Sequence, residues 1–499
     1  MKVDVSQRKL KFILIALSSL LMSLSFHPLG LYFFAWFAIV PLLFAVENTK
    51  ASTRFKAGLL FGFLFSLLSL FWIVFLQIPT TVKILMIVGM FILFLYIGVY
   101  FGTALIIARQ IGIWFLPFVI AGLEYIKGLG ELGFPWLSLG YTQARYPLVI
   151  QQASLYGIFG ITFWLILLNV ALYKTIMTRT RKYVIITVLI FVLPFIYSTS
   201  RLKQPSEKYI SIGIVQPNID PNLKFDRKMK NETFRRLLSL SIACAEHALE
   251  QTGNLPELII WPETATPVFL KSPGTYRDLV VELSNRMNVP IFSGTPLIDR
   301  TNYELYNGAV LIEPGKDIEQ EYKKIHLVPF GEHVPFDRYV PLFRKIDLGE
   351  GDYAPGNDYT VFHVDNFTFS CLICFESIFP ELSHTFVNNG AELLVNITND
   401  GWFGKISGPQ QHNDMAILRT VENGVPLARS ANNGISMVVD QYGRVLKETH
   451  LFEEGFISYR IPADRDITIY RRFGYLYPLA CLVLVALLLA REQFMHYRK

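Results

Sequence analysis

Apolar stretches recur along the first 200 residues with few polar interruptions. They fall near residues 10–27, 31–47, 57–77, 84–108, 111–126, 157–173 and 183–199, and one more lies at 475–490. Each is long enough, or nearly so, to cross about 30 Å of hydrocarbon as a helix. The pattern predicts about eight membrane spans. The first is expected to stay in place rather than act as a cleaved leader. Its end, Ser23–Phe26, runs directly into His27-Pro28-Leu29-Gly30 and more apolar sequence, with no small-residue cleavage site.

Between 205 and 468 the pattern changes to alternating short strands and amphipathic helices. Strands are expected at 209–216, 258–261, 289–293, 309–312, 368–373 and 393–397, and helices at 231–251, 275–287 and 412–423. In the first helix Leu237, Leu238, Ser241, Ala245 and Ala248 share one stripe. Gly424 supplies the stop for the last. Such alternation argues for a layered α/β domain. The expected organisation is a helical membrane region at 1–204, a polar domain at 205–468, and a final span with its tail at 469–499.

Composition and charge sharpen this division. The chain has 499 residues, 52% hydrophobic and only 17% charged, against about 25% charged in soluble proteins. Residues 205–468 hold 24 basic and 35 acidic side chains, a net of −11; the remainder holds 22 and 5, a net of +17. The overall basicity therefore belongs to loops flanking the membrane and gives no support for nucleic-acid binding. With the N-terminus in the cytoplasm, cytoplasmic loops carry fifteen Lys and Arg and the opposite loops seven. The positive-inside rule favours that orientation, and seven preceding spans then put 205–468 outside the cytoplasm. A transporter would keep most of its mass in the bilayer, so the chemistry is expected in the polar domain. Glu124, at the end of one apolar run, reads as a carboxylate at the membrane interface, with a functional role as the alternative.

Three predicted strand ends carry reactive side chains. The segment Leu258–Trp261 leads to Pro262-Glu263, Tyr322-Lys323-Lys324 opens a second motif that runs to Glu332, and Cys371-Leu372-Ile373 delivers Cys374. A thiol nucleophile needs a base, which a carboxylate can supply. A neighbouring lysine favours thiolate and can stabilise an oxyanion. Read alone, Cys371-x-x-Cys374 also fits a redox pair or half a metal site. No second such pair exists in the sequence, which disfavours structural zinc, and a bridge along one short strand has poor geometry. Cys244 and Cys481 read as packing residues.

These segments, together with Gly133–Tyr141, Trp261–Ala265, Lys324–Glu332, Asn399–Gly404, Gly408–His412 and Arg429–Gly434, resemble the apolipoprotein N-acyltransferase family, a membrane-anchored branch of the nitrilase superfamily. The resemblance spans nearly the whole chain. It implies a nitrilase-like αββα sandwich on the periplasmic face of a multi-pass inner-membrane protein. It further implies a two-step transfer. An acyl chain passes from a phospholipid, typically phosphatidylethanolamine, to a cysteine thioester, and then to the N-terminal amine of a diacylglyceryl-cysteine apolipoprotein. By resemblance Glu263 is the base, Lys324 the oxyanion stabiliser and Cys374 the nucleophile. The Phe375 backbone N–H completes the oxyanion hole, and Glu332 and Glu376 support it. No metal or cofactor is implied, and the chain is expected to be a monomer.

Two positions depart from the family pattern: Phe375 stands where Tyr is common, and Phe225 where Trp is common. Both keep a ring and lose a polar handle. Competing readings are a membrane-anchored amidase, against which the spans argue, and a silent lipid-binding scaffold, against which the intact Glu263, Lys324 and Cys374 argue. Candidate lipid contacts are Phe225, Trp402, Phe336, Tyr339, Leu342 and Phe343. The aromatic segment Phe336–Phe343 is expected to act as a lid over the thioester, with Arg338, Arg344 and Lys345 facing headgroups. If it does, Phe343→Ser slows acylation from lipid; unchanged acylation of the lipid substrate would remove the lid.

Overall fold

The computed structural model describes residues 5–76, 80–202, 206–220, 227–301, 303–336, 353–464 and 466–497. Twelve strands are found among these. They are β1 (Tyr209–Gln216), β2 (Leu258–Ile260), β3 (Ile291–Ile298), β4 (Leu305–Ile312), β5 (Glu321–Lys323), β6 (Phe362–Val364), β7 (Phe367–Ile373), β8 (Leu393–Thr398), β9 (Leu427–Ala431), β10 (Met437–Val439), β11 (Val445–Glu448) and β12 (Gly455–Pro462).

They form two six-stranded sheets, ordered β12-β1-β2-β3-β4-β5 and β11-β10-β9-β8-β7-β6. In each sheet the middle three strands run parallel (β1-β2-β3 and β7-β8-β9), and the flanking strands pair antiparallel. The alternation of β1 explains the layering. Ile210, Ile212 and Ile214 point into the core between the sheets, with Phe292, Phe369, Val395 and Ile397. Val215 faces the other way, into a second core with Phe234, Leu237 and Val280 of the covering helices. Helices Arg227–Thr252 and Thr275–Met287 cover one sheet, and Pro380–Asn388 and Gly408–Asn423 the other. The result is the expected αββα sandwich. Helix Gly408–Asn423 begins four residues before the expected start and ends on Gly424 at φ 67°. Cys244 is buried with its Sγ 3.5 Å from the Ile457 carbonyl, and Cys481 is buried as well.

In the helical region the expected span count is not confirmed. Among the described residues five helices are long and apolar enough to cross a membrane: Ala51–Ser69, Met86–Ile111, Ala153–Thr178, Arg181–Arg201 and Leu476–His496. About eight spans were expected. The run at 31–47 breaks into the short turn Tyr32–Trp36 and the six-residue helix Val40–Ala45. The run at 111–126 yields a twelve-residue helix, Leu116–Lys127, with Pro117 in its first turn, after Gly112 turns the chain at φ 106°. At 1.5 Å per residue that helix reaches only about 18 Å. Val5–Leu24 is helical but spends its first turns on Arg8, Lys9 and Lys11. Two of the long helices meet through Gly58 and Gly62 on one and Gly98 and Gly102 on the other. A Cβ on Gly58 would lie 2.6 Å from the Gly102 backbone nitrogen, so only bare backbone permits this approach.

The two regions interlock. Gln411, near the start of helix Gly408–Asn423, accepts from Trp72 Nε1 (3.2 Å) and Trp136 Nε1 (2.9 Å) through one oxygen. Its amide nitrogen donates to the carbonyls of His27 (2.8 Å) and Ser69 (3.0 Å). One turn on, Asp414 binds Arg145 Nε (2.8 Å) and His27 Nε2 (3.2 Å). Glu422 accepts from the Ile158 backbone N–H at 2.8 Å, where Gly157 (φ 67°) breaks helix Ala153–Thr178. Glu124 is buried, and its carboxylate accepts from Leu139 N (2.7 Å) and Thr162 Oγ1 (2.6 Å). It therefore pegs the 133–141 loop rather than resting exposed at an interface. Replacing Gln411 by Leu strands four partners, three of them buried, and is expected to cost about 2–4 kcal/mol. That should appear as a lower thermal midpoint of the detergent-solubilised protein; an unchanged midpoint would deny Gln411 its pinning role.

Candidate active site

Strand ends assemble the site. Glu263 follows β2 across Trp261-Pro262, Lys324 follows β5, and Cys374 follows β7. Gly294 of β3 seats the first of these turns. A Cβ there would lie 2.5 Å from the Thr264 nitrogen and 2.6 Å from the Pro262 oxygen. Cys374 itself sits at φ 50°, a left-handed backbone that costs a non-glycine residue about 1–3 kcal/mol. Such a turn, directly after a buried strand, presents the side chain at the C-terminal end of that strand.

Lys324 is almost fully buried, at 1% exposure. Its Nζ donates to Glu332 Oε1 at 2.8 Å and lies 3.6 Å from Glu263 Oε1. Burial by itself would lower its pKa; the carboxylates of Glu332 and Glu263 outweigh that and hold it above the ordinary lysine value. Lys324 is thus a fixed cation. Asn307 of β4 ties the two acids together, its Nδ2 donating to Glu263 Oε1 (2.8 Å) and to Glu332 Oε1 (2.7 Å). The second oxygen of Glu332 accepts from Val328 N at 2.8 Å.

Glu376 has a different task. One of its oxygens accepts from Tyr322 Oη (2.7 Å), Ile325 N (2.7 Å) and His326 N (3.1 Å), and the other from Ile373 N (2.7 Å). It clamps the Lys324 segment to the Cys374 turn and is itself fully buried.

Burial pushes the Cys374 thiol up, and the Glu263 carboxylate adds to this; the Lys324 charge opposes both without prevailing. Lys324 thus favours thiolate, as expected, but does not outweigh burial. Low polarity and a neighbouring anion dominate, and Cys374 rests as a thiol beside a carboxylate.

Behind the turn lies a group that the sequence did not mark as a unit. Asp400, in the turn Asp400–Phe403, and His412 of helix Gly408–Asn423 are both fully buried. Asp400 Oδ1 lies 2.9 Å from His412 Nδ1 and accepts from Thr398 Oγ1 at 2.8 Å, while Oδ2 accepts from Arg429 at 2.7 Å. Burial alone would raise the Asp400 pKa; Arg429 and His412 hold it well below the usual carboxylate range. Burial and Arg429 push His412 down, against the pull of Asp400. Ligand atoms of Cys374, Asp400 and His412 lie within 4.8 Å of one another, a set that could hold a metal ion. Here, however, Asp400 is already taken by Arg429, and His412 Nε2 faces the Cys374 carbonyl at 3.0 Å.

Phe375 is buried against Phe379, ring centroids 5.1 Å apart. Trp402 is half-buried in the Asp400–Phe403 turn. Phe336 is exposed, and its backbone N–H donates to Glu131 Oε2 at 2.7 Å, so the start of the expected lid touches the loop after helix Leu116–Lys127. Phe225, Tyr339, Leu342 and Phe343, with Arg338, Arg344 and Lys345, lie outside the described residues.

Two family models match the chain. Residues 211–468 match "Carbon-nitrogen hydrolase" and residues 18–171 match "Apolipoprotein N-acyltransferase N-terminal domain". Over 511 residues the chain is 33% identical to the apolipoprotein N-acyltransferase of Geobacter metallireducens, covering 98% of this chain and 96% of that one. The chain belongs to the apolipoprotein N-acyltransferase family. It is also 30% identical over 516 residues to the apolipoprotein N-acyltransferase of Chlorobaculum tepidum, covering 96% and 95%. Among solved structures it is similar to Saccharomyces cerevisiae Nit3 of the nitrilase superfamily, with a TM-score of 0.40 and 18% identity over 54% of this chain and 95% of that one. Each half of this chain is thus matched by its own family model.

A thiol with a raised pKa reacts only through its small thiolate fraction. Alkylation of Cys374 by iodoacetamide, followed by peptide mass spectrometry, should accelerate with pH throughout pH 7–9. A rate already level at pH 7 would mean a thiolate at rest and contradict the electrostatics above.

Proposed function

We propose that this protein transfers an acyl chain from a membrane phospholipid, through a thioester on Cys374, to the N-terminal amine of a diacylglyceryl-cysteine apolipoprotein. The observation that carries this reading is the meeting of Cys374, Glu263 and the buried Lys324 at neighbouring strand ends, with Lys324 Nζ 3.6 Å from Glu263 Oε1. Family membership supplies the substrate class. Phosphatidylethanolamine is the favoured donor.

In the first half-reaction Glu263 takes the thiol proton as sulfur attacks the ester carbonyl. Negative charge moves onto the carbonyl oxygen, toward Lys324 and the Phe375 N–H. As the tetrahedral adduct collapses, the ester C–O bond breaks and Glu263 returns the proton to the departing lysophospholipid oxygen. In the second, the neutral amine attacks the thioester and gives a proton to Glu263. The C–S bond breaks, the amide forms, and the proton goes back to sulfur. Glu332 and Asn307 hold Lys324 and Glu263 in register for both steps.

The same reading places residues 205–468 on the periplasmic side of the inner membrane, flanked by membrane segments at 1–204 and 469–499. The supports are the loop-charge asymmetry and the packing of helix Gly408–Asn423 on the membrane helices. The chain is proposed to act as a monomer. Phe336, Trp402 and the residues around 337–343 are proposed to meet the acyl chains.

Intact-protein mass spectrometry tests the scheme. After incubation with phosphatidylethanolamine vesicles, wild type should gain the mass of one acyl chain. Cys374→Ser should not, and a diacylglyceryl-cysteine peptide should discharge the adduct. Absence of any adduct on folded wild type would overturn the acyl-transfer scheme.

A further inference from the structure

The Asp400–His412 pair sits beside the nucleophile, yet the transfer scheme gives it no proton to carry. His412 Nε2 lies 3.0 Å from the Cys374 carbonyl oxygen and 3.0 Å from Ser377 Oγ, and Ser377 Oγ itself donates to that carbonyl at 3.0 Å. The carbonyl belongs to the peptide that joins Cys374 to Phe375. This peptide is trans, so its C=O and its N–H lie in one rigid plane and point in opposite directions. Whatever grips the oxygen therefore aims the nitrogen. Hydrogen bonds accepted by a peptide oxygen also strengthen the donor at the far end of the same peptide.

We propose that His412 is a positioning residue. Through the Cys374 carbonyl it fixes and polarises the Phe375 N–H that receives the oxyanion, and Ser377 is the second grip on the same oxygen. A carbonyl oxygen can only accept, so the ring holds it through a proton on Nε2. The ring is held from several sides. Asp400 and Arg429 meet Nδ1, at 2.9 and 3.0 Å. Trp136, from the loop between membrane helices, stacks on its face with centroids 5.6 Å apart and planes at 27°. Phe403 meets it edge-on. The grip also has a load to hold, because Cys374 occupies a left-handed backbone that relaxes once released. Gln411, next to His412 on the same helix, is bonded to that same Trp136. The oxyanion donor is thereby referenced to the membrane helices through one indole ring.

The inference rests on the acyl-transfer reading, in which the Phe375 N–H meets the oxyanion. Its test separates two reactions of one sulfur. Alkylation by iodoacetamide forms no oxyanion, whereas thioester formation from phosphatidylethanolamine does. Full-length protein in mixed micelles would be followed by intact-mass measurement in single turnovers at saturating lipid. For His412→Ala, thioester formation should slow about 10- to 100-fold, a part of what deleting an oxyanion donor costs, while alkylation of Cys374 stays within about threefold of wild type. His412→Gln, whose amide can donate to the same carbonyl, should recover most of the loss. Lipid concentration for half-saturation should move little.

Equal losses in both reactions would overturn the proposal, since they would mean a collapsed turn or a role on the sulfur itself. No loss in thioester formation would overturn it as well. If His412→Ala does not fold, Ser377→Ala carries the test, with the same split at smaller size supporting the proposal and no split overturning it. Wild type that alkylates but never acylates would instead overturn the acyl-transfer reading, and this inference with it.

Discussion

Burying the Lys324 ammonium is possible only because carboxylates come with it. An unpaired ammonium in a dry interior would give up its proton. Glu332 meets it directly, Glu263 stands close by, and Asn307 keeps those two acids from drifting apart. One consequence falls on the thiol, whose pKa is raised by burial first and by the Glu263 carboxylate second. A second is rigidity. Three strand ends from two directions of the chain must stay in register, because any slip leaves a buried charge without its partner, at a cost of several kcal/mol. The Glu376 clamp between the lysine segment and the cysteine turn serves the same constraint.

The sandwich is also pinned to its helices. Helix Gly408–Asn423 faces two ways at adjacent residues. Gln411 collects indole N–H groups and carbonyls from the membrane part, while His412 turns toward the cysteine peptide. Trp72 and Trp136 of the helical region thereby pack against the helix that carries His412.

Much of this was legible in the sequence, and the rest was hidden for identifiable reasons. Strand β1 and helix Thr275–Met287 have the expected bounds, because both show clean periodicity between turn residues. Glu263, Lys324 and Cys374 stood out as reactive residues at the ends of apolar strands. Strand β4 was expected only from Ala309, since Asn307-Gly308 is a turn dipeptide by composition. In the fold Gly308 leaves room for the Tyr322 backbone, and Asn307 becomes the bridge between two acids. His412 and Asp400 lay in recognisable motifs, but 38 residues separate His412 from the carbonyl it meets. Only the packing of two sheets and a helix brings them together. The span count is not confirmed where prolines and glycines cut hydrophobic runs whose composition alone suggested continuous helices.

The break at Gly157 has a meaning for modularity. Opening helix Ala153–Thr178 there frees the Ile158 N–H, and the capping carboxylate comes from Glu422 of the catalytic sandwich. The partial positive charge of a helix start favours an anion at that place. Each half of the protein thus completes a hydrogen-bond requirement of the other. A chimaera that joined these helices to a soluble hydrolase lacking an equivalent acid would leave an amide uncapped in a buried site, however well the two pieces matched in shape.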